Sequence, residues 1–150
     1  MDFRRNFSVL LVMVLIVGAG CATKVTQGPV TPTTTPPQVQ VANAVNTLAQ
    51  ALDAAATAIQ AAQQQGKVSS ADAVIASKVI ITAATTGKTI DAELKTSDDW
   101  PTMKTKILQA ITQAGLQAAV ANVPASAKPY MVAAITAYNT IASTVGGPTI

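Results

Sequence analysis

The chain has 150 residues, of which 49% are hydrophobic, 3% aromatic and 11% charged, and its formal net charge is +3. This length suits one domain, and the apolar fraction rests mainly on Ala, Val and Ile, which predicts a core of small side chains. The low aromatic content and the absence of a basic cluster beyond Arg4 and Arg5 argue against nucleic-acid binding. The absence of histidine and the single cysteine exclude an intramolecular disulfide and most sites built from Cys and His.

The N-terminal residues have the three parts of a secretory signal peptide. Arg4 and Arg5 are followed by the run 7–17, which is apolar except for Ser8, and then by the small residues 18–20. A membrane span needs roughly 20 apolar residues, so this run is short for a spanning helix. The sequence therefore predicts that residues 1–20 are a signal peptide that exports the chain.

The junction that follows resembles the lipobox of bacterial lipoprotein precursors, in which small residues lead directly into a cysteine. Ala19, Gly20 and Cys21 fit this pattern, while Gly18 stands where the family usually has Leu or another large aliphatic residue. The resemblance implies that Cys21 is lipidated, that the peptide before it is removed, and that the body is held on a membrane. Ala22, in place of an inner-membrane Asp signal, favours the outer membrane of a host with two membranes, facing the periplasm.

Two other fates of this segment are open at the level of sequence. An ordinary signal peptidase cut near Ala22 would remove the cysteine and release a secreted protein, and an uncleaved segment would anchor the chain in the inner membrane.

Residues 21–40 differ in composition from the rest of the chain. They contain Pro29, Pro32, Pro36 and Pro37 with threonines between them, and no helical period of apolar residues. Such a segment is extended and semi-rigid, with a rise of about 3.1 Å per residue. The sequence predicts a Pro/Thr-rich tether that spaces the body from the membrane.

From Val41 the pattern changes to apolar residues at alternating steps of four and three, with polar residues on the opposite side. This spacing is typical of an amphipathic helix, and Gly66 follows its last apolar residue as a natural C-terminal stop. The apolar set is Val41, Val45, Leu48, Leu52, Ala55, Ile59 and Ala62.

A second helix is predicted from Ser69, as N-cap, with Asp72 in its first turn. Asp91 and Lys95, four residues apart, indicate that it continues to about Lys95, although the β-branched run near its middle and Gly87 favour a break or a kink. Its apolar belt is wider than one face, which is typical of a helix buried between neighbours. The belt contains Val74, Ile75, Val79, Ile80 and Ile81.

Two further helices are predicted in the last third of the chain. An Asp cap, from Asp98 or Asp99, followed by Pro101 marks the start of the third helix, and Pro124 ends it. Ser126 is the expected cap of the fourth helix, which residues 146–148 end. The expected apolar sides are Met103, Ile107, Ala110, Ile111, Ala114, Ala118 and Ala121 on the third helix, and Met131, Ile135, Tyr138, Tyr130, Ala134 and Ile141 on the fourth. Residues 41–150 are thus predicted to be all-α, a small Ala-rich antiparallel bundle of about four helices.

The sequence offers little for catalysis. Without histidine there is no Ser-His pair, and the adjacent Ser77 and Lys78 lie on a predicted helix as parts of a solvated face. Asp98 and Asp99 could bind calcium only weakly, since no EF-hand loop surrounds them, and they are better explained by helix capping. The sequence predicts no enzyme, no metal site and no cofactor.

The expectation is a non-enzymatic, membrane-anchored envelope lipoprotein that acts as a structural or protein-interaction module. It looks like the small lipoproteins of bacterial envelopes, some of which phages or mobile elements encode. The alternative is a carrier of small apolar ligands or lipids, with a cavity between the helices. Trp100, the single tryptophan, either covers the end of the bundle or contacts a protein partner. The oligomeric state is open.

Overall fold

The computed structural model describes residues 35–150. The predicted signal peptide, Cys21 and residues 22–34 of the predicted tether lie outside the described residues. Within them the chain is all-α, without a strand, and residues 35–150 form one compact unit. The helices are α1 (Pro37–Gln64), α2 (Ser70–Leu94), α3 (Trp100–Ala114), α4 (Leu116–Ala121) and α5 (Val132–Val145), with a 3-10 turn (Lys128–Met131) before α5.

The first helix begins four residues earlier than predicted. Residues 37–40, assigned to the tether by sequence, form the first turn of α1, and the Gln40 amide donates to the Pro36 carbonyl over 3.1 Å. Proline is favoured at the first helical position, because its φ already suits a helix and it has no N–H to leave unpaired. Pro36 and Pro37 therefore start this helix instead of extending the tether.

The predicted apolar stripe of α1 is confirmed. All seven of its residues are buried, and the helix ends at Gln64, two residues before Gly66, which has a positive φ of 71°. The expected polar residues of the opposite side, such as Gln50 and Asp53, are exposed.

The limits of α2 agree with the predicted cap and ion pair. The Ser69 hydroxyl accepts a hydrogen bond from the Asp72 amide over 3.1 Å, and Lys95, at the C-cap, pairs with Asp91. The β-branched residues in the middle do not interrupt the helix. Threonine hydroxyls there donate to carbonyls one turn earlier, as Thr82 does to Lys78 over 3.0 Å, so their polar groups are paired within the helix.

The prediction that the wide apolar belt of α2 is buried is wrong for three of its five residues. Val74 is 55% exposed and Ile81 is 65% exposed, and Ile75 is exposed as well, whereas Val79 is buried. The physical reason is that α2 approaches its neighbours through small residues, which leave its large side chains to solvent. The buried positions of α2 are Ala73, Ala76, Val79, Ala83, Thr86, Gly87 and Ile90.

The third predicted helix is divided at Gly115, which has a φ of 60°. A left-handed residue ends a helix, and glycine adopts that conformation without steric cost. The break rotates the following residues about the helix axis. Leu116, absent from the predicted stripe, is therefore buried, while Ala118 and Ala121, predicted on the buried side, are exposed.

Ser126 does not cap the last helix as predicted. Its hydroxyl donates instead to Asp72 Oδ2 over 2.8 Å, which links this connection to the first turn of α2. A 3-10 turn and then α5 follow, and Gly146, with a φ of 71°, ends α5 as expected. The predicted apolar side is buried or partly buried throughout this segment, with Met131, Ala134, Tyr138 and Ile141 fully buried.

The helices pack as a small bundle. α1 contacts α2 and α5, α2 contacts α3, and α3 contacts α5. Ten of the 27 buried apolar residues are alanine, and this confirms the prediction of a core of small side chains. Small residues allow helices to approach closely, so stability arises from many short contacts and not from a few large anchors.

Candidate functional site

Of the two residues that sequence analysis singled out, the structure describes one. Cys21 lies outside the described residues. Trp100 is the first residue of α3, directly after the capping Asp99, and it is partly buried with its side chain against the hydrophobic core. It therefore covers part of the core and leaves part of its surface accessible.

The connection between α2 and α3 is held by a small charged cluster. Lys106 Nζ lies 2.6 Å from Asp98 Oδ2 and 3.6 Å from Glu93 Oε2. The hydrogen bond from Lys106 is the largest cause that lowers the pKa of Asp98, and the same bond raises the pKa of Lys106. The cluster joins α3 to the last turn of α2 at a partly exposed position, where such pairs stabilise proteins only modestly.

Asp99 acts as the predicted cap. Its carboxylate accepts a hydrogen bond from the Thr102 amide over 3.0 Å, and hydrogen bonding to Thr102 lowers the pKa of the Asp99 carboxyl. Asp98 and Asp99 thus have separate structural partners. Among residues 35–150 no group of three His, Cys, Asp or Glu side chains is placed to hold a metal ion.

Sequence reasoning missed a polar clamp on the last residues of the chain. The side-chain amide of Asn139 donates to the Ile150 carbonyl over 2.7 Å and accepts from the Ile150 amide over 2.8 Å. Gln117 donates to the Thr149 carbonyl over 2.8 Å. The segment after α5 is thereby held against α4 and α5, and Ile150 packs against the core. Asn139 and Gln117 are ordinary polar residues of helices, and no sequence pattern marks them.

One pocket within the bundle is very small. A void among Leu48, Leu52, Val79, Met131 and Tyr138, which other core residues complete, has a volume of about 10 Å³. A cavity needs roughly 10–15 Å³ to hold one water molecule. This void is therefore too small for an organic ligand.

Two larger spaces are open grooves at the surface. The first, of about 550 Å³, lies between α1 and α2 over Leu52, Ala84 and Gly87. The second, of about 650 Å³, lies beside Val132 and Ile150. Volumes of this size are typical of ligand pockets, but ligand pockets usually enclose most of the ligand surface, which an open groove does not.

The outward side of α2 combines apolar and basic residues. We define the α2 outer face as Val74, Lys78, Ile81, Thr85 and Lys88, all of which are exposed. Ser77 is also exposed, but residues adjacent in a helix do not face each other, so Ser77 and Lys78 form no pair.

Among the residues that the structure describes, α2 is long and apolar enough to cross a membrane by length and composition. In the fold, 39% of that apolar stretch is buried. Core helices of soluble proteins pass the same test, so this property alone assigns no membrane span. The apolar stretch of α2 is therefore less than half buried in the fold.

Comparison of the chain with protein-family models, with curated proteins and with solved structures gives no match. The function is therefore argued from the residues and their arrangement.

Proposed function

We propose that the chain is a non-enzymatic envelope lipoprotein, anchored to a membrane through Cys21, whose helical body is a structural or protein-interaction module. The observation that carries the proposal is the position of Cys21. It is the single cysteine of 150 residues, and it follows directly on an apolar run with two arginines before it. Lipidation would hold the body on the membrane firmly, since several acyl chains bind far more tightly than one.

The body is consistent with such a role. Residues 35–150 form a compact unit, and most of their buried apolar residues join in one hydrophobic cluster. A partly accessible tryptophan and exposed aliphatic side chains on α2 provide surfaces for contact. The chain also lacks histidine, the usual general base of hydrolytic sites, which supports the non-enzymatic part of the proposal.

The carrier hypothesis has less support. It requires an enclosed cavity between the helices, and the pocket among Leu48, Leu52 and Val79 has a volume of only about 10 Å³. The grooves at the surface are large enough for a ligand but open to water. We therefore retain the anchored module as the proposed function.

Lipidation at Cys21 is tested by metabolic labelling of the full chain with radioactive palmitate in a bacterial host. We expect label in the wild type and none in Cys21→Ser, which should accumulate as an uncut precursor or lose its membrane attachment. Thr23→Ser is the matched control, because it alters a hydroxyl-bearing neighbour and leaves the cysteine. Equal labelling of Cys21→Ser and the wild type would refute the anchor.

A further inference from the structure

The outward side of α2 has apolar side chains that the fold does not use. Val74 and Ile81 are 55% and 65% exposed, and they lie seven residues apart. Seven residues of an α-helix rotate by almost two full turns, so these side chains point in directions only about 20° apart. They form a short apolar ridge directed away from the core. Isolated exposed aliphatic residues need no explanation, but a ridge at helical spacing is a feature of the surface.

Basic residues flank this ridge. At 100° per residue, the five residues of the α2 outer face lie within a sector of about 80° around the helix axis. Neither Lys78 nor Lys88 makes an ion pair with a residue that the structure describes. The acidic residues of α2 are Asp72, Asp91 and Glu93, and none of them lies in this sector. The α2 outer face therefore contains aliphatic side chains and two lysines and no carboxylate of its own, while Lys88 at its edge also lines the groove that contains Asp53 and Asp91.

We propose that the α2 outer face binds the surface of an anionic lipid bilayer, with Val74 and Ile81 inserted between headgroups and Lys78 and Lys88 beside the lipid phosphates. Helices that lie on membranes combine an apolar ridge with lysines in this way. Lysine side chains also suit this position, because their aliphatic stems cover apolar surface while the ammonium groups remain in water.

A lipid surface explains this face better than a protein partner does. Protein interfaces are enriched in Trp, Tyr and Arg at their centres and depleted in Lys. The α2 outer face contains none of the first three types and has two lysines. Its charges lie about 15 Å apart along the helix, as expected for contacts with several separate headgroups.

This inference rests on the proposed function in one respect, namely that the anchor keeps the body near a bilayer. Binding through this face would orient the body with α2 against the membrane. The anchor and the face are separable in experiment, because residues 35–150 contain the α2 outer face and the whole described core but not Cys21.

The test is co-sedimentation of residues 35–150, which form the compact unit of the structure, with lipid vesicles. Circular dichroism first verifies the helical fold of each variant. We expect binding to vesicles made of equal parts phosphatidylglycerol and phosphatidylcholine, and far weaker binding to phosphatidylcholine alone. Ile81→Asp should weaken partitioning at least about tenfold, because it removes a buried aliphatic contact. Lys78→Gln and Lys88→Gln should each weaken it about fivefold.

Matched controls exist outside the α2 outer face. Val132 is 60% exposed and Lys128 is exposed, so Val132→Asp and Lys128→Gln introduce similar chemical changes elsewhere. Each should alter partitioning less than about twofold, the size expected from net charge alone at physiological salt. A dye attached at Thr85→Cys should shift to shorter emission wavelengths with anionic vesicles, and one attached at Thr136→Cys should not.

Several results would overturn the proposal. These are absence of binding to anionic vesicles, equal binding to neutral vesicles, or an equal loss of binding in the control variants. Sedimentation equilibrium that shows a dimer dispersed by Ile81→Asp, without vesicle binding, would assign the face to a second copy of the chain. Each of these results would leave palmitate labelling of Cys21 unaffected, so failure of the face and failure of the anchor are distinguishable.

Discussion

The two longest helices, α1 and α2, use their apolar residues in opposite ways. α1 has 28 residues and α2 has 25, so their capacity to bury surface is similar. On α1 the large apolar residues from Val41 to Ile59 follow one buried stripe, and Val39, in the first turn, is 45% exposed. On α2 several of the largest aliphatic residues face solvent, while alanine, threonine and glycine face the core.

The difference shows that the spacing of apolar residues predicts burial better than their number. Steps of four and three keep a stripe on one side of a helix, whereas a run such as residues 79–81 distributes apolar groups around it. At Gly87 the two helices are in ordinary contact, since an added Cβ would lie 3.6 Å from Leu48 Cδ2. Small residues of α2 thus share the contact with Val79 and Ile90, which are also buried.

The largest effect is expected on α1. Leu52 is 4% exposed at the middle of the stripe, and Leu52→Asp would bury a charge without a partner. We expect a loss of several kcal/mol in the free energy of unfolding, a large share of the roughly 5–15 kcal/mol typical of domains. Urea unfolding followed by circular dichroism measures it.

The matched control for this substitution is Gln50→Asp, two residues away on the exposed side of α1. It should change the free energy of unfolding by less than about 0.5 kcal/mol, as surface substitutions do. Similar losses in the two variants would mean that the stripe of α1 does not face the core.

The second effect compares two isoleucines of α2. Ile90 is fully buried and Ile81 is 65% exposed, although sequence analysis placed only Ile81 in the apolar belt. Ile90→Ala should cost about 2–5 kcal/mol, because it removes buried methyl groups and leaves a cavity. Ile81→Ala should cost less than about 0.5 kcal/mol. Thermal and urea unfolding measure both, and a larger loss from Ile81→Ala would contradict the described orientation of α2.

Local signals in the sequence predicted much of the fold. The stripe of α1, the Ser69 and Asp99 caps, the Asp91–Lys95 pair and the stop at Gly146 all depend on residues within a few positions of one another. Periodicity and capping depend on interactions between residues that are close in sequence, and each of these predictions is confirmed.

Features that depend on distant contacts could not be predicted in this way. Ser126 is as good a cap as Ser69 by residue type, but Asp72, 54 positions away, accepts its hydroxyl hydrogen bond instead. Gly115 could have been tolerated inside a helix, and only tertiary packing of Leu116 favours the left-handed break. The choice of which side of α2 is buried likewise depends on the partner helices.

The candidate sites differ from the fold in how far the sequence predicts them. The lipobox resemblance is a property of the sequence alone, and Cys21 lies outside the described residues. The α2 outer face was not predicted, because its two large aliphatic residues, Val74 and Ile81, were interpreted as core. The sequence does contain the pattern of this face, namely Val74 and Ile81 seven residues apart with lysines between and after them. However, only the position of α2 in the bundle shows that this side faces solvent.

The smallest effect concerns the C-terminal end of α2, which is joined to α3 by charge and not by apolar packing alone. Lys106 lowers the pKa of Asp98 and Thr102 lowers the pKa of Asp99, both below the ordinary value of 3.8. A carboxyl with a lowered pKa in the folded state stabilises the fold above its unfolded pKa, and this contribution is lost as the pH falls through the folded pKa. Stability should therefore decline as the pH falls below about 4. The pKa of Lys106 is raised, so its contribution to the stability of the fold is present at neutral pH. That contribution is lost only as the pH rises above 10.5.

Urea unfolding of residues 35–150 between pH 2 and pH 6 measures this dependence. Asp98→Asn should be slightly less stable than the wild type at pH 6 and should show a shallower decline on acidification, because the variant has lost the carboxylate whose protonation breaks the bond to Lys106. Asp53→Asn, on the exposed side of α1 and without an ion pair among the described residues, is the matched control and should retain the slope of the wild type. If the two variants showed the same slope, the bond between Asp98 and Lys106 would not stabilise the end of α2, and the contrast between the charged α2–α3 connection and the apolar stripe of α1 would disappear.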